Sequence, residues 1–187
     1  MILVIDTSSA SAAIATLNGE RYETFVSARS GELRSTLRRI ARDQDVTKVA
    51  VVTGPGSFTG LRVGVSFALG LAMGLRIPIV PLPTLELQAA RSDEPVTAVA
   101  DAGRGRFYFR LPDGASGVGQ PADIPIRYPL VGRLAGREAL TAAGHGFKPE
   151  RELRRFVDAA AILLETAREV PYRNLEIEYM QSFSRKG

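Results

Sequence analysis

The 187-residue chain has no cysteine and no tryptophan, a single histidine at His145, and only three lysines, Lys48, Lys148 and Lys186, against 21 arginines. Without cysteine there is no disulfide, no thiolate metal site and no thiol nucleophile, and nothing asks for an oxidising compartment, so a cytoplasmic location is expected. With His145 alone, neither a histidine-pair metal site nor a Ser–His dyad can be assembled within the chain. A dominant charge is missing too: 24 basic residues face 20 acidic ones, for a formal net charge of +4. Despite a pI near 9.8, this mild excess reads as an arginine-rich solvated surface rather than a nucleic-acid footprint. Long hydrophobic runs are also absent. The longest uncharged stretch of this kind, Val63 to Leu75, has 13 residues, short of the roughly 20 that span a bilayer. The apolar N-terminus carries Asp6 and lacks the basic start of a signal peptide, so no membrane segment is expected.

What is present suits a globular core. Hydrophobic residues make up 45% of the chain and charged residues 24%, with mean hydropathy +0.01, which excludes disorder as the main state and allows one domain or two small ones. Ile2 to Ile5 is a β-branched run ending at Asp6. Ala12 to Leu17 follows, then Asn18-Gly19, a hairpin signal of the type I′ kind, and Arg21 to Val26 alternates as a half-buried strand. Leu33, Leu37, Ile40 and Ala41 recur at helical spacing, predicting an amphipathic helix over about Gly31 to Arg42. Val49 to Val52 reads as a buried strand, Leu61 to Leu75 as a helix, and Ile77 to Val80 as a strand. Thr84 reads as the N-cap of a further helix. The first half is βββαβαβα.

The second half repeats the plan. Val96 to Ala100 runs into Asp101 as Ile2 to Ile5 runs into Asp6, and Asp113-Gly114 follows Asp101 at the distance at which Asn18-Gly19 follows Asp6. Phe107 and Phe109 stand for Ala12 and Ile14, and Ala139 to Gly146 parallels Val49 to Gly56. An apolar helix over about Leu153 to Glu169 and a last strand over Leu175 to Phe183 complete the copy. The pattern predicts a duplicated α/β chain of two βββαβα lobes, residues 1–95 and 96–187, in the actin-like (ASKHA, ribonuclease-H-like) manner, with a shortened second lobe.

Gly54-Pro55-Gly56-Ser57-Phe58-Thr59-Gly60 is the most distinctive segment. It misses the dinucleotide G-x-G-x-x-G by one residue and has no P-loop lysine. Glycines before a helix can present amides to an anion, or can simply let the turn pack closely. Asp6, Thr7, Ser8, Gly54, Gly56, Ser57, Asp101 and Gly103 are therefore the candidate anion- or nucleotide-facing residues. Asp6 and Asp101 could hold Mg²⁺ beside a nucleotide, or could cap their own turns. No catalytic residue and no metal site is assigned, and His145, between two glycines, is structural or solvated. Arg104 and Arg106 could meet a phosphate or RNA, though a solvated hairpin is the plainer account.

From Val63 to Leu75 only Ser66 is polar, and Gly64, Ala68 and Ala72 form a small-residue stripe. Such a helix must be covered on nearly every side, by neighbouring helices or by a partner. The candidate partner interface comprises Leu33, Leu37, Ile40, Val63, Phe67 and Leu71.

Ile5-Asp6-Thr7-Ser8, the run from Gly54 through Leu61-Arg62-Val63-Gly64, Pro83-Thr84-Leu85 and Asp101-Ala102-Gly103-Arg104 together resemble the bacterial TsaB (YeaZ) family of tRNA threonylcarbamoyladenosine synthesis. The resemblance is close over about residues 1 to 110 and looser beyond. It implies a non-catalytic accessory subunit that pairs through its N-terminal helices with the larger TsaD transferase, joined by the TsaE ATPase, with tRNA reached through the complex. It further implies no cofactor in the isolated chain and ATP at a complex interface; because such a subunit alone would expose its apolar helix face, a weak homodimer through the partner surface is expected when the partner is missing. The chain departs from the family pattern at Ser30-Gly31-Glu32-Leu33, where a histidine is common, and at Tyr179-Met180-Gln181-Ser182-Phe183. The alternative is a stand-alone Mg²⁺-dependent nucleotide hydrolase or kinase of the actin-like superfamily, and the weakest reading is a peptidase.

Overall fold

The opening apolar run forms the central strand of a sheet because it is buried on both sides. In the computed structural model, which describes residues 1–27 and 31–178, β1 (Ile2–Asp6) pairs antiparallel with β2 (Ser11–Asn18) and parallel with β4 (Lys48–Gly54). With β3 (Glu20–Ser27) and β5 (Ile79–Pro83) at the edges, the order is β3-β2-β1-β4-β5. Alternate residues serve opposite faces. Leu3, Ile5, Val49 and Val51 pack under α1 (Gly31–Asp43) and α2 (Phe58–Leu75), while Val4, Ala50 and Val52 pack under α3 (Thr84–Ala89) and α5 (Phe156–Thr166). A strand buried on both faces reads as a continuous apolar run, as β1 and β4 do.

The expected order βββαβαβα is found as predicted, with local differences. At the first hairpin only Gly19 has positive φ, and Leu17 pairs with Arg21, so the turn is wider than type I′. Thr84 is the first helical residue of α3 rather than its cap, which is Pro83. Helix α2 has 18 residues, about 27 Å, and by length and composition alone it could cross a membrane. One whole side of it, Leu61, Gly64, Val65, Ala68 and Ala72, is buried on the sheet instead.

The second copy forms its own sheet from β6 (Thr97–Gly103), β7 (Arg106–Arg110), β8 (Ser116–Gly119) and β9 (Leu130–Val131), in the order β8-β7-β6-β9. This repeats β3-β2-β1-β4, with β6 parallel to β9 as β1 is to β4. The duplicated actin-like architecture is thus present, but three correspondences differ from the sequence reading. The counterpart of β4 is the two-residue β9, not Ala139 to Gly146, which forms α4 (Arg137–Ala142) and its Gly144 turn at φ 88°. Phe107 pairs with Asp101 as Ala13 pairs with Asp6, so Phe107 and Phe109 take the places of Ala13 and Ala15, because the second loop is one residue shorter. Helix α5 does not stay with the second sheet: Phe156, Val157, Ala159 and Ala160 pack on the first. Of the last predicted strand, residues 175–178 form none, and Glu178 N–H donates to the Thr53 carbonyl. Residues 179–183 lie outside the described residues.

Helix α5 is docked by charged groups of β3. It has no side-chain cap of its own, and Glu23 Oε2 accepts the Val157 N–H at 2.8 Å in that role. Asp158 receives Arg21 at 3.0 Å and Arg155 at 2.9 Å. The hydrogen bond from Arg155, then that from Arg21, holds the Asp158 carboxyl below its ordinary range against the opposing effect of burial. A carboxyl depressed in the folded state stabilises it above the unfolded value, about 3.9, and loses that contribution as pH falls through the folded value. Asp158→Asn is therefore expected to lower stability by about 1 kcal/mol at pH 7, with the gap to wild type closing as pH drops below about 4. Thermal unfolding across pH measures this, and a gap constant with pH would contradict it.

Candidate functional site

Between the two sheets lies a cleft of about 710 Å³, bordered by the β1–β2 turn, the start of α2, the β6–β7 hairpin and the loop before α4. Of the residues proposed to face an anion, Ser8, Gly56, Ser57, Asp101 and Gly103 line it, whereas Asp6, Thr7 and Gly54 do not. Asp6 and Thr7 are buried behind it. Gly54, at φ +124°, is packed so that a Cβ would lie 2.6 Å from the Glu178 carbonyl oxygen.

Both aspartates are already engaged. Asp6 Oδ1 accepts the Ser8 N–H at 2.8 Å, closing its own turn, and Oδ2 accepts Arg133 Nη1 at 3.1 Å. Asp101 Oδ2 accepts the Ala135 N–H at 2.9 Å. The turn-capping reading accounts for Asp6, whereas Asp101 ties the end of β6 to the loop before α4 instead of closing its own turn. Arg133, which the sequence reading missed, follows β9 and reaches across to the first sheet. It donates also to the Ser11 carbonyl and lies 4.9 Å over the Phe25 ring. Burial lowers its pKa, and Asp6 opposes that shift, but a guanidinium stays charged at neutral pH. Nothing near Arg133 in sequence announces this contact, because its partners lie more than a hundred residues earlier.

The glycine spacing is explained by close approach. A Cβ at Gly56 would lie 2.6 Å from the Ser8 carbonyl oxygen, one at Gly60 2.1 Å from that of Thr7, and one at Gly64 2.1 Å from the Thr7 hydroxyl. Ser57 N–H donates to the Ser8 carbonyl at 2.7 Å, and its hydroxyl caps α2 by accepting the Gly60 N–H. The three glycines let the first turns of α2 lie on the Thr7–Ser8 turn. His145 is buried, with Nε2 2.9 Å from the Pro121 carbonyl, so it is structural rather than solvated. Among the described residues no group of three metal-ligating side chains occurs.

The second candidate is the outer face of α1 and α2. Leu33, Leu37 and Ile40 are buried between α1 and the sheet, Leu37 to 1% exposure, and so belong to the core, with Leu33 and Leu37 at the bottom of a groove between α1 and α2. The helical periodicity located the apolar stripe of α1 correctly; the chain's own sheet takes it. The Gly64, Ala68 and Ala72 stripe of α2 likewise faces inward. Val63 and Met73 are 46% and 54% exposed, and Phe67 and Leu71 are partly exposed between them, so one apolar side of α2 has no full cover among the described residues.

Comparison with known proteins places these features. A family profile described as TsaD, tRNA N6-adenosine threonylcarbamoyltransferase, matches residues 35–119. The tRNA threonylcarbamoyladenosine biosynthesis protein TsaB of Bacillus subtilis is 36% identical over 123 residues, 59% of this chain and 54% of that protein. TsaB of Haemophilus influenzae is 41% identical over 69 residues, 34% of this chain and 29% of that one. The chain thus spans about half the length of the first of these relatives and under a third of the second. Among solved structures, a Pseudomonas aeruginosa protein described by its similarity to the peptidase YeaZ superposes with TM-score 0.75 at 21% identity, covering 96% of this chain and 99% of that one. YeaZ of P. aeruginosa superposes with TM-score 0.72, also at 21% identity and over the same shares. The chain is thus similar in sequence to TsaB over more than half of its length and similar in fold to YeaZ over nearly all of it.

Proposed function

We propose that this chain is a non-catalytic accessory subunit in the synthesis of N6-threonylcarbamoyladenosine in tRNA, which binds a TsaD-type threonylcarbamoyltransferase and activates it. The observation that carries this reading is the uncovered apolar side of α2, with Val63, Phe67, Leu71 and Met73, on a chain similar to proteins named for that pathway. An apolar helix face left open by its own sheet is stabilised by a partner. A TsaE-type ATPase, ATP and tRNA enter this reading only through the complex. A stand-alone Mg²⁺-dependent hydrolase finds less support, since the oxygens it would use on Asp6 are taken by Ser8 and Arg133.

The test is association with the TsaD-type subunit from the same source, followed by light scattering. Val63→Asp with Met73→Asp alters exposed positions only, so the variant is expected to keep the wild-type circular dichroism and melting temperature. Wild type should form a complex at micromolar concentration and the variant should lose at least about tenfold in affinity, each buried apolar contact being worth roughly 1 kcal/mol or more. Equal binding by both would remove α2 as the interface, and no binding by wild type would defeat the accessory reading.

A further inference from the structure

We infer that Asn18-Gly19 is a site of spontaneous covalent modification, at which the Asn18 side-chain amide is lost and aspartate and isoaspartate take its place, and that this change loosens the docking of α5. The inference is independent of the accessory reading.

The reaction is an attack by the backbone nitrogen of the following residue on the side-chain amide carbon. At Asn18 the bond from Gly19 N to Asn18 Cγ forms, the Cγ–Nδ2 bond breaks, and ammonia leaves with the proton that Gly19 N gives up. Water then opens the five-membered imide at either carbonyl. Opening at Cγ gives aspartate; opening at the backbone carbonyl gives isoaspartate, with one extra carbon in the main chain. Nothing is oxidised or reduced, and solvent water is the only co-reactant.

The attack needs an unshielded nitrogen and a side chain free to turn toward it, and the tip of the β2–β3 hairpin supplies both. Asn18 and Gly19 are exposed. Gly19 has no side chain to shield its nitrogen, and at φ +72° nothing lies within 4 Å of the place a Cβ would take. Neither the Gly19 N–H nor the Asn18 side chain has a hydrogen-bond partner among the described residues. Two other pairs in the chain are open to the same chemistry by composition, and the structure ties both. Asn174, the only other asparagine, precedes Leu175, whose branched side chain shields the nitrogen and whose N–H donates to the Tyr172 carbonyl at 3.3 Å. Asp113-Gly114 forms the same imide by losing water, but Asp113 Oδ1 accepts the Ala115 N–H at 3.0 Å, and the Gly114 N–H donates to the Leu111 carbonyl at 3.0 Å.

The register of the hairpin carries the consequence to α5. Asn18 stands opposite Glu20, and Leu17 opposite Arg21. Either product therefore sets a new carboxylate beside that of Glu20, and like charges at facing strand positions are destabilising. Isoaspartate also lengthens β2 by one carbon next to the Leu17–Arg21 pair, which displaces the start of β3 against its partner strand. Arg21 and Glu23 of β3 are the groups that hold Asp158 and the Val157 N–H in the first turn of α5, so a displaced β3 weakens that hold.

The test incubates the full chain at mildly alkaline pH beside a free peptide of residues 14–23 and the Asn18→Gln variant, whose six-membered ring closes far more slowly. Tryptic fragments are weighed by mass spectrometry, and isoaspartate is read by methyl transfer from labelled S-adenosylmethionine with an isoaspartyl methyltransferase. The fragment ending at Arg21 is expected to gain about one dalton and to accept methyl groups, while the fragments holding Asn174 and Asp113 stay unchanged and Asn18→Gln accepts none. Amide exchange in the first turn of α5 should be about threefold faster in the converted chain. Asn18→Asp, which adds the charge without the extra carbon, should show a smaller increase. An Asn18 fragment that stays intact while the free peptide converts overturns the assignment. Conversion at Asn174 or Asp113 at the pace of Asn18 overturns the selection by structure, and conversion with unaltered exchange in α5 overturns the link from hairpin to helix.

Discussion

Replacing Arg133 by Met is expected to lower the stability of the fold by about 3–5 kcal/mol, the cost of leaving a buried charge without its partner. Asp6 is 1% exposed, and the Arg133 side chain is 14% exposed where the two meet. Without the guanidinium, Asp6 retains only the Ser8 N–H on one oxygen, and the Ser11 carbonyl loses its side-chain donor. Adding Asp6→Asn to the Met variant removes the orphaned charge and still offers an oxygen to Ser8, so the double variant should recover more than half of the loss. Arg133→Lys should fall between the two, since one ammonium cannot reproduce the planar reach to Asp6 and Ser11 together. Urea unfolding with unchanged m-values reads the effect directly. Equal midpoints for wild type and Arg133→Met would mean that the contact adds nothing. Because Arg133 follows β9 while Asp6 ends β1, the same variants test what joins the two sheets: loss of the ion pair should raise amide exchange in the Thr7 to Ser11 turn before it affects β4 or β5.

The second large effect is expected within a single helix. Gly60→Ala places a Cβ 2.1 Å from the Thr7 carbonyl oxygen, a backbone atom that can yield only if the β1–β2 turn moves. A loss of about 3 kcal/mol is expected, at the upper end of ordinary overpacking. Gly64→Ala meets the Thr7 hydroxyl at the same distance, but a side chain can rotate away, so about 1–2 kcal/mol is expected there. Gly74 has nothing within 4 Å of its hypothetical Cβ. Gly74→Ala should therefore stabilise the protein by about 0.5–1 kcal/mol through helix propensity and unfolded-chain entropy. The sign change between Gly60 and Gly74 separates close packing from mere helix composition. Should Gly60→Ala melt with wild type, the contact with Thr7 would not be limiting and the glycine motif would need another explanation.

The open side of α2 and the glycines on its inner side are two consequences of one composition. Small residues at 56, 60, 64, 68 and 72 let the helix lie close on the first sheet, while Val63, Phe67 and Leu71, placed about a turn away from one another, are carried outward. Sequence reading found the helix and its apolarity but assigned Leu33, Leu37 and Ile40 to the outside. Periodicity identifies an apolar stripe without saying whether the chain's own sheet or a second protein covers it.

The first 95 residues announced their order of elements because each strand there is long enough, or apolar enough, to show its period, and several connections carry Asn-Gly, Gly-Pro or Pro. In the second half β9 is two residues long, too short for any pattern, and Ala139 to Gly146 was matched to it by spacing although Arg-Glu-Ala-Leu followed by Gly144 carries the composition of a capped helix. The duplication itself was legible from Asp6 and Asp101, each ending a buried strand before a hairpin.

Local chemistry, then, is what the sequence by itself determined: the order of elements over the first 95 residues, the recurrence of an aspartate at the end of a buried strand, and the absence of a thiol or a histidine pair. Only the tertiary structure decided how these parts meet. It carried α5 from the second copy onto the first sheet, where Glu23 and Arg21 hold its first turn. It brought Arg133 to Asp6 across 127 residues, and it divided α2 into a side for the sheet and a side for something else. Helix and turn formation depend on neighbours within a few residues, which a sequence displays. Pairings of buried charge and the choice of covering surface depend on burial by distant segments, which exists only once the chain has folded.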